Sequence, residues 1–284
     1  WAPVISAQDK YYDQWHNGDP SVVKHDGRYY IAYSSTGHNL DGYMSQYVGT
    51  DNKGDKDGSI LCVMGARSED GIHWEKTKMP VLLHKQDVGA PTQKGHDIHP
   101  FGSYHRPSLM FDDGKWKLWF DYWTGLLGGC SMGYAENSGD FMNPDDWKVI
   151  RADDSPAMQE YPNPDVVKIG DLYFAYGDPG GYAARDKNGG WVGRKLVEAV
   201  SSNGQDWIKL GYIDADRDAA ATHVPEALVV DKDGAQYIYL YYATQIGGEP
   251  FDYRYDHIRS MRRKITKDEL DFYHQLCEQF IPQR

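Results

Sequence analysis

The 284-residue sequence has only three cysteines, no run approaching 18 apolar residues, and 30 basic against 42 acidic side chains. Each scarcity excludes something. Cys62, Cys130 and Cys277 are too few and too scattered for a disulfide framework or a zinc motif, so they read as buried thiols with at most one bridge. The short apolar runs leave no helix able to span a bilayer. A formal net charge of −12 lacks the basic face that nucleic acid or an anionic membrane surface requires. The sequence opens at Trp1 without a charged-then-apolar leader. The expectation is a processed or trimmed chain, compatible with a removed signal peptide and a secreted or periplasmic location.

What the chain has in excess is aromatic: 22 Tyr and 9 Trp. Such side chains suit packing between β-sheets, and their ring faces also stack on the C–H faces of sugars. They recur in a pattern. Asp19-Pro20-Ser21-Val22-Val23, Arg106-Pro107-Ser108-Leu109-Met110, Asn163-Pro164-Asp165-Val166-Val167 and Val224-Pro225-Glu226-Ala227-Leu228 each lead into an acidic or glycine turn and then an aromatic strand. The turns are His25-Asp26-Gly27, Asp112-Asp113-Gly114, Ile169-Gly170-Asp171 and Asp231-Lys232-Asp233-Gly234, and they mark hairpins that need positive φ. Further strands end in Ser68-Glu69-Asp70-Gly71 and Ser201-Ser202-Asn203-Gly204, followed by Trp74 and Trp207. A looser copy ends at Trp147. These three tryptophans are expected to pack rather than bind ligand.

Self-similarity at roughly 45 to 60 residues, two to four short strands per unit, is the mark of propeller blades. The expected fold is all-β, a five-bladed β-propeller forming one domain over residues 1–284, with four blades legible. From Thr266 the pattern turns helical: Thr266-Lys267-Asp268-Glu269 is a capping box, and Leu270, Tyr273, Leu276, Cys277 and Phe280 follow at helical spacing. A short C-terminal helix in the 264–284 tail is expected.

The blades differ in the charge beside the proline. Asp19, Asp165 and Glu226 head their strands, and the repeat is expected to place them at homologous positions and bring them into one axial funnel. Arg106 stands in its blade where Asp19 stands, available to a sugar hydroxyl, to Asp165 or to a structural ion pair. His105 and His223 flank the same positions and are candidate substrate contacts. Trp15, His16, Tyr161, Trp123 and Trp191 are candidate sugar platforms. His96, Asp97 and His99 look like metal ligands but form no closed set, and read as a loop cluster.

The Asp-Pro-Ser-Val-Val opening, the Asn-Pro-Asp-Val-Val of mid-chain, the later Pro-Glu-Ala and the Ser-x-Asp-Gly-x-x-Trp hairpin together resemble the five-bladed propeller glycosidases of glycoside hydrolase family 43 and relatives in families 62, 32 and 117. The resemblance covers about residues 17–263. It implies Asp19 as general base, Asp165 as the group that tunes the acid, and Glu226 as general acid, with His223 a secondary acid candidate by likeness to family 117. It implies a carbohydrate substrate and no required cofactor; by analogy alone, a structural calcium could sit on the axis. The Trp-Met-Asn-Asp-Pro-Asn motif of the retaining family 32 enzymes is absent.

Inversion needs an ionised base, a protonated acid roughly 6.5–9.5 Å away so that a water fits, and a means of keeping the acid protonated. Three carboxylates supply that set. The expected activity is an inverting exo-glycosidase of the arabinofuranosidase or xylosidase kind. The alternatives are a carbohydrate-binding propeller without catalysis, and a retaining fructan or sucrose hydrolase.

Overall fold

The computed structural model describes residues 3–7, 11–13, 16–38, 59–84, 102–123, 130–179, 194–215, 219, 221–245 and 256–282. The chain divides into two compact units, Trp1–Pro156 and Ala157–Arg284. Each holds two antiparallel meander sheets, so four blades are present among the described residues.

In the first unit one sheet runs β1 (His16–His25), β2 (Arg28–His38), β3 (Ser59–Ser68) and β4 (Glu75–Lys76). The next runs β5 (Gly102–Asp112), β6 (Lys115–Trp123), β7 (Cys130–Asn137) and β8 (Trp147–Arg151). In the second unit the sheets are β9 (Asp165–Ile169), β10 (Leu172–Gly177), β11 (Val197–Ser201), β12 (Ile208–Tyr212), and then β13 (Ala221–Lys232), β14 (Ala235–Gln245), β15 (Asp256–Ile265). The helix α1 (Lys267–Phe280) follows directly. Within each unit the leading strands lie beside one another, β5 against β1 and β13 against β9.

The first hairpin of every blade closes through two residues. Asp26-Gly27, Asp113-Gly114 and Asp233-Gly234 all have positive φ at both positions, the type I′ signature. At Gly170-Asp171 only the glycine is positive, as a type II′ turn requires. The outer hairpins are held by side chains. Ser68 Oγ accepts from Gly71 N at 2.8 Å, and Asp70 Oδ1 from Ile72 N and His73 N, each at 2.8 Å. Ser201 and Asn203 repeat these bonds onto Gly204, Gln205 and Asp206. The indole N–H groups of Trp74, Trp147 and Trp207 each donate to a carbonyl of the preceding turn, Gly71, Phe141 and Gly204, at 3.1 Å. These tryptophans are therefore structural, as the sequence implied.

The helix begins as read, with both capping-box bonds between Thr266 and Glu269. Leu270, Tyr273, Leu276 and Cys277 pack on the blade of β9–β12, against a core that includes Ile169, Leu172, Phe174 and Val200. Phe280 does not join them. It is 62% exposed, and Ile281 at the end of the helix is buried instead, because the packing stripe has rotated past position 280. All three cysteines are buried, and none is in a disulfide.

Gly133 lies opposite Phe120 in the β6–β7 ladder, and the ring covers it: a Cβ there would lie 2.4 Å from Phe120 Cζ and 3.0 Å from the Arg151 carbonyl oxygen. Gly133→Ala should destabilise the protein by about 1–3 kcal/mol, the cost of overpacking a closed core. The measurement is the urea midpoint, expected to fall at unchanged m-value.

Candidate active site

Proline lacks an N–H and interrupts a ladder, so the sequence placed each leading strand after its proline. The structure runs β1, β5 and β13 straight through it. The ladder skips two residues, between Gly18 and Ser21, between His105 and Ser108, and between His223 and Glu226. The skipped pair is a left-handed residue followed by proline: Asp19 (φ 47), Arg106 (φ 49) and Val224 (φ 50), with Asn163 (φ 49) the same just ahead of β9. Asp and Asn tolerate this region; for a β-branched Val it is a true outlier, costing about 1–3 kcal/mol unless its surroundings enforce it.

The bulge also corrects the alignment of the carboxylates. Asp165 and Glu226 follow their prolines and are equivalent to Ser21 and Ser108, whereas Asp19 precedes its proline and is equivalent to Arg106, Asn163 and Val224. The three acids are not homologous in the repeat. The reason is register: the two-residue bulge separates the residue before the proline from the one after it.

In the second unit Asp165 and Glu226 are brought together. Asp165 Oδ2 accepts the backbone N–H of Ala227 at 2.5 Å, which pins β13 to β9 beside Glu226. Loss of solvation, then the Asp165 charge, push the Glu226 carboxyl up from 4.5 to about 7. Glu226 keeps an open side to solvent, which screens the repulsion without reversing its direction.

Beneath them lies a group that the sequence did not single out. Asp178, wholly buried, takes Asn163 Nδ2 on Oδ1 at 2.6 Å, and on Oδ2 the N–H of Val224 and Nη2 of Arg194, both at 2.8 Å. One carboxylate thus holds the two left-handed residues ahead of Asp165 and Glu226. Its signal was present in the repeat, since Ser34 does the same in the first unit, accepting Arg106 N at 2.7 Å. His223, 8% exposed, has Nε2 3.5 Å from Asp256 Oδ2 and no hydrogen-bond partner for Nδ1 among the described residues. Burial, then the Arg194 guanidinium, hold its pKa below 6.5 against the pull of Asp256 and Asp178.

The first unit repeats the backbone pinning with a neutral group: Ser21 Oγ accepts Leu109 N at 2.9 Å. Asp19 is exposed at the left-handed corner of β1. Of the three readings open for Arg106, an ion pair is found, Nη1 lying 3.3 Å from Asp121 Oδ2. His105 is turned inward as well, its Nδ1 2.9 Å from Asp121 Oδ1, so both candidate contacts are engaged with Asp121. Tyr161 is no sugar platform: it is fully buried, its hydroxyl donates to the Ala175 and Val197 carbonyls, and its ring fills the space over Gly177. Trp15, Trp191, His96, Asp97 and His99, and the side chains of His16 and Trp123, lie outside the described residues.

With this geometry in place, the chain can be compared with known proteins. No family model matches it, and no curated protein sequence does. Solved structures do. A GH32 β-fructofuranosidase of Bombyx mori aligns at 13% identity and TM-score 0.54 over 91% of this chain and 49% of that one. A structure titled for GH130 mannoside phosphorylases and glycoside hydrolases that target β-1,2 mannosidic linkages in Candida mannan aligns at 17% and 0.56 over 93% and 76%. The fold is a β-propeller. A glycosyl hydrolase from Bacteroides ovatus shares it, at 16% and 0.51 over 90% and 70%. The chain spans about half the length of the Bombyx mori protein.

A carboxyl whose folded pKa is raised binds its proton more tightly folded than unfolded. Its contribution to stability is therefore full below about 4.5 and is lost as pH rises to about 7. Glu226→Gln removes that loss. The variant should match wild type in urea unfolding at pH 4.5 and exceed it at pH 8; equal midpoints at both pH values would contradict the assignment.

Proposed function

We propose that this chain is an inverting glycoside hydrolase of family 43-like type, acting on oligo- or polysaccharide as an exo-enzyme of the arabinofuranosidase or xylosidase kind. The observation that carries the reading is the Asp165–Glu226 pair, one carboxylate fixed by a backbone N–H and the other pushed up to about 7 beside it. A carboxyl that is largely protonated near neutrality can give its proton to a leaving glycosidic oxygen. In this reading Glu226 is the general acid, Asp165 keeps it protonated, and Asp19 is the general base that activates water. The presence of glycoside hydrolases among the solved structures sharing the fold supports the class. A five-bladed ring, a secreted or periplasmic location, and sugar contacts from Trp15, His16, Trp123 and Trp191 belong to the same proposal, and a structural calcium is not required by it.

The test is a screen of aryl glycosides and oligosaccharides with NMR of the first-formed anomer, expected to be inverted. Glu226→Ala should lose most activity on substrates with poor leaving groups and keep more on activated aryl glycosides, which need little protonation. Equal loss on both would remove Glu226 from the acid role.

Asp19→Ala should lower turnover by roughly 10²–10⁴-fold, the share of general-base assistance, with substrate affinity near wild type. Azide should restore it, yielding an inverted glycosyl azide, since a small anion fits where the carboxylate stood. A covalent adduct trapped on Asp19 in wild type would make the enzyme retaining.

A further inference from the structure

In the β5–β8 blade three side chains of different donor chemistry meet on one sheet face. His105 on β5 pairs in register with Asp121 on β6, and Asp121 pairs with Met132 on β7. Cys130 stands two residues before Met132 and so shares its face. A His nitrogen, an Asp oxygen and the Cys sulfur lie within 4.8 Å of one another, and all three residues are buried. No sequence spacing could have announced the cluster, because its members come from three strands and only one is a cysteine.

We propose that His105, Asp121 and Cys130 form a binding site for a borderline divalent transition metal, in the first place zinc. One thiolate, one imidazole and one carboxylate are ligands that zinc accepts together, whereas calcium takes oxygen alone. Ligand atoms about 2.0–2.3 Å from a tetrahedral ion stand roughly 3.3–3.8 Å apart, so the His105–Asp121 contact at 2.9 Å would open a little and any wider separation, at most 4.8 Å, would close. The two faces of Asp121 are already divided as a metal-bound carboxylate requires. Oδ1 faces His105, while Oδ2 is held by Arg106 from outside, the kind of outer partner that orients a ligand. On binding, the thiol releases its proton to solvent and Cys130 becomes a thiolate. A water completes the fourth position. Because the ligands join three strands, the ion would tie the blade together and fix Arg106 at its left-handed corner.

This site belongs to the first unit and does not depend on the glycosidase reading. The test uses the full chain after dialysis against a chelator. Titration calorimetry with zinc chloride should give one ion per chain with micromolar or tighter affinity, and cobalt chloride should produce a thiolate-to-metal charge-transfer band. Cys130→Ser should abolish that band and weaken zinc at least ~10-fold, while Cys62→Ser and Cys277→Ser keep both. Calcium chloride should not bind there. Absence of zinc uptake at micromolar concentration, a Cys130→Ser variant that binds like wild type, or equal competition by calcium would each overturn the proposal.

Discussion

A backbone N–H donated from the left-handed residue of one blade to a side chain of the blade before it is the bond on which much else depends. Val224 N reaches Asp178, and Arg106 N reaches Ser34. A second bond, three residues on in both units, runs from Ala227 N to Asp165 and from Leu109 N to Ser21. Together they register neighbouring leading strands that share no ladder of their own. The proline makes this possible: by refusing to donate, it ejects two residues from the ladder, and the kink frees the N–H before it for a partner outside its sheet.

The same device explains why chemistry gathers where it does. A serine suffices to accept one N–H, yet the second unit uses carboxylates at both positions, Asp165 and Asp178. Burial first, and then the Asp165 charge, raise Glu226, while Asp178 has the countercharge of Arg194 at 2.8 Å. A buried carboxylate with three donors is satisfied. The left-handed Val224 is held by Asp178, and Glu226 two residues on is raised by burial and by Asp165.

Hairpins, capping box and the packing tryptophans were legible because each is a local affair, decided within four to eight residues. The Asp-Gly turns could be read from the φ they demand, and the outer hairpins from a strand, a glycine or asparagine turn and the tryptophan that follows. Register across the bulge was not legible, and with it went the equivalence of Asp19 to Glu226. Tyr161 was misread because an aromatic beside a proline motif looks alike whether it faces a groove or lies against Gly177; burial decides, and burial is set by β10 and β11. Asp178 escaped notice because its partners, Asn163, Arg194 and Val224, are spread over 61 residues of chain.

The docking of the final helix has a consequence for biosynthesis. Cys277 and Ile281 share a core with Ile169 and Leu172, residues that leave the ribosome more than a hundred positions earlier. The blade of β9–β12 therefore emerges with an apolar flank uncovered and stays so until the last part of this sequence has been made. Among the described residues, the cores of the first unit draw on positions up to 152 alone. Vectorial synthesis would thus complete the cores of the first unit while the second unit, which carries Asp165, Asp178 and Glu226, is still unfinished.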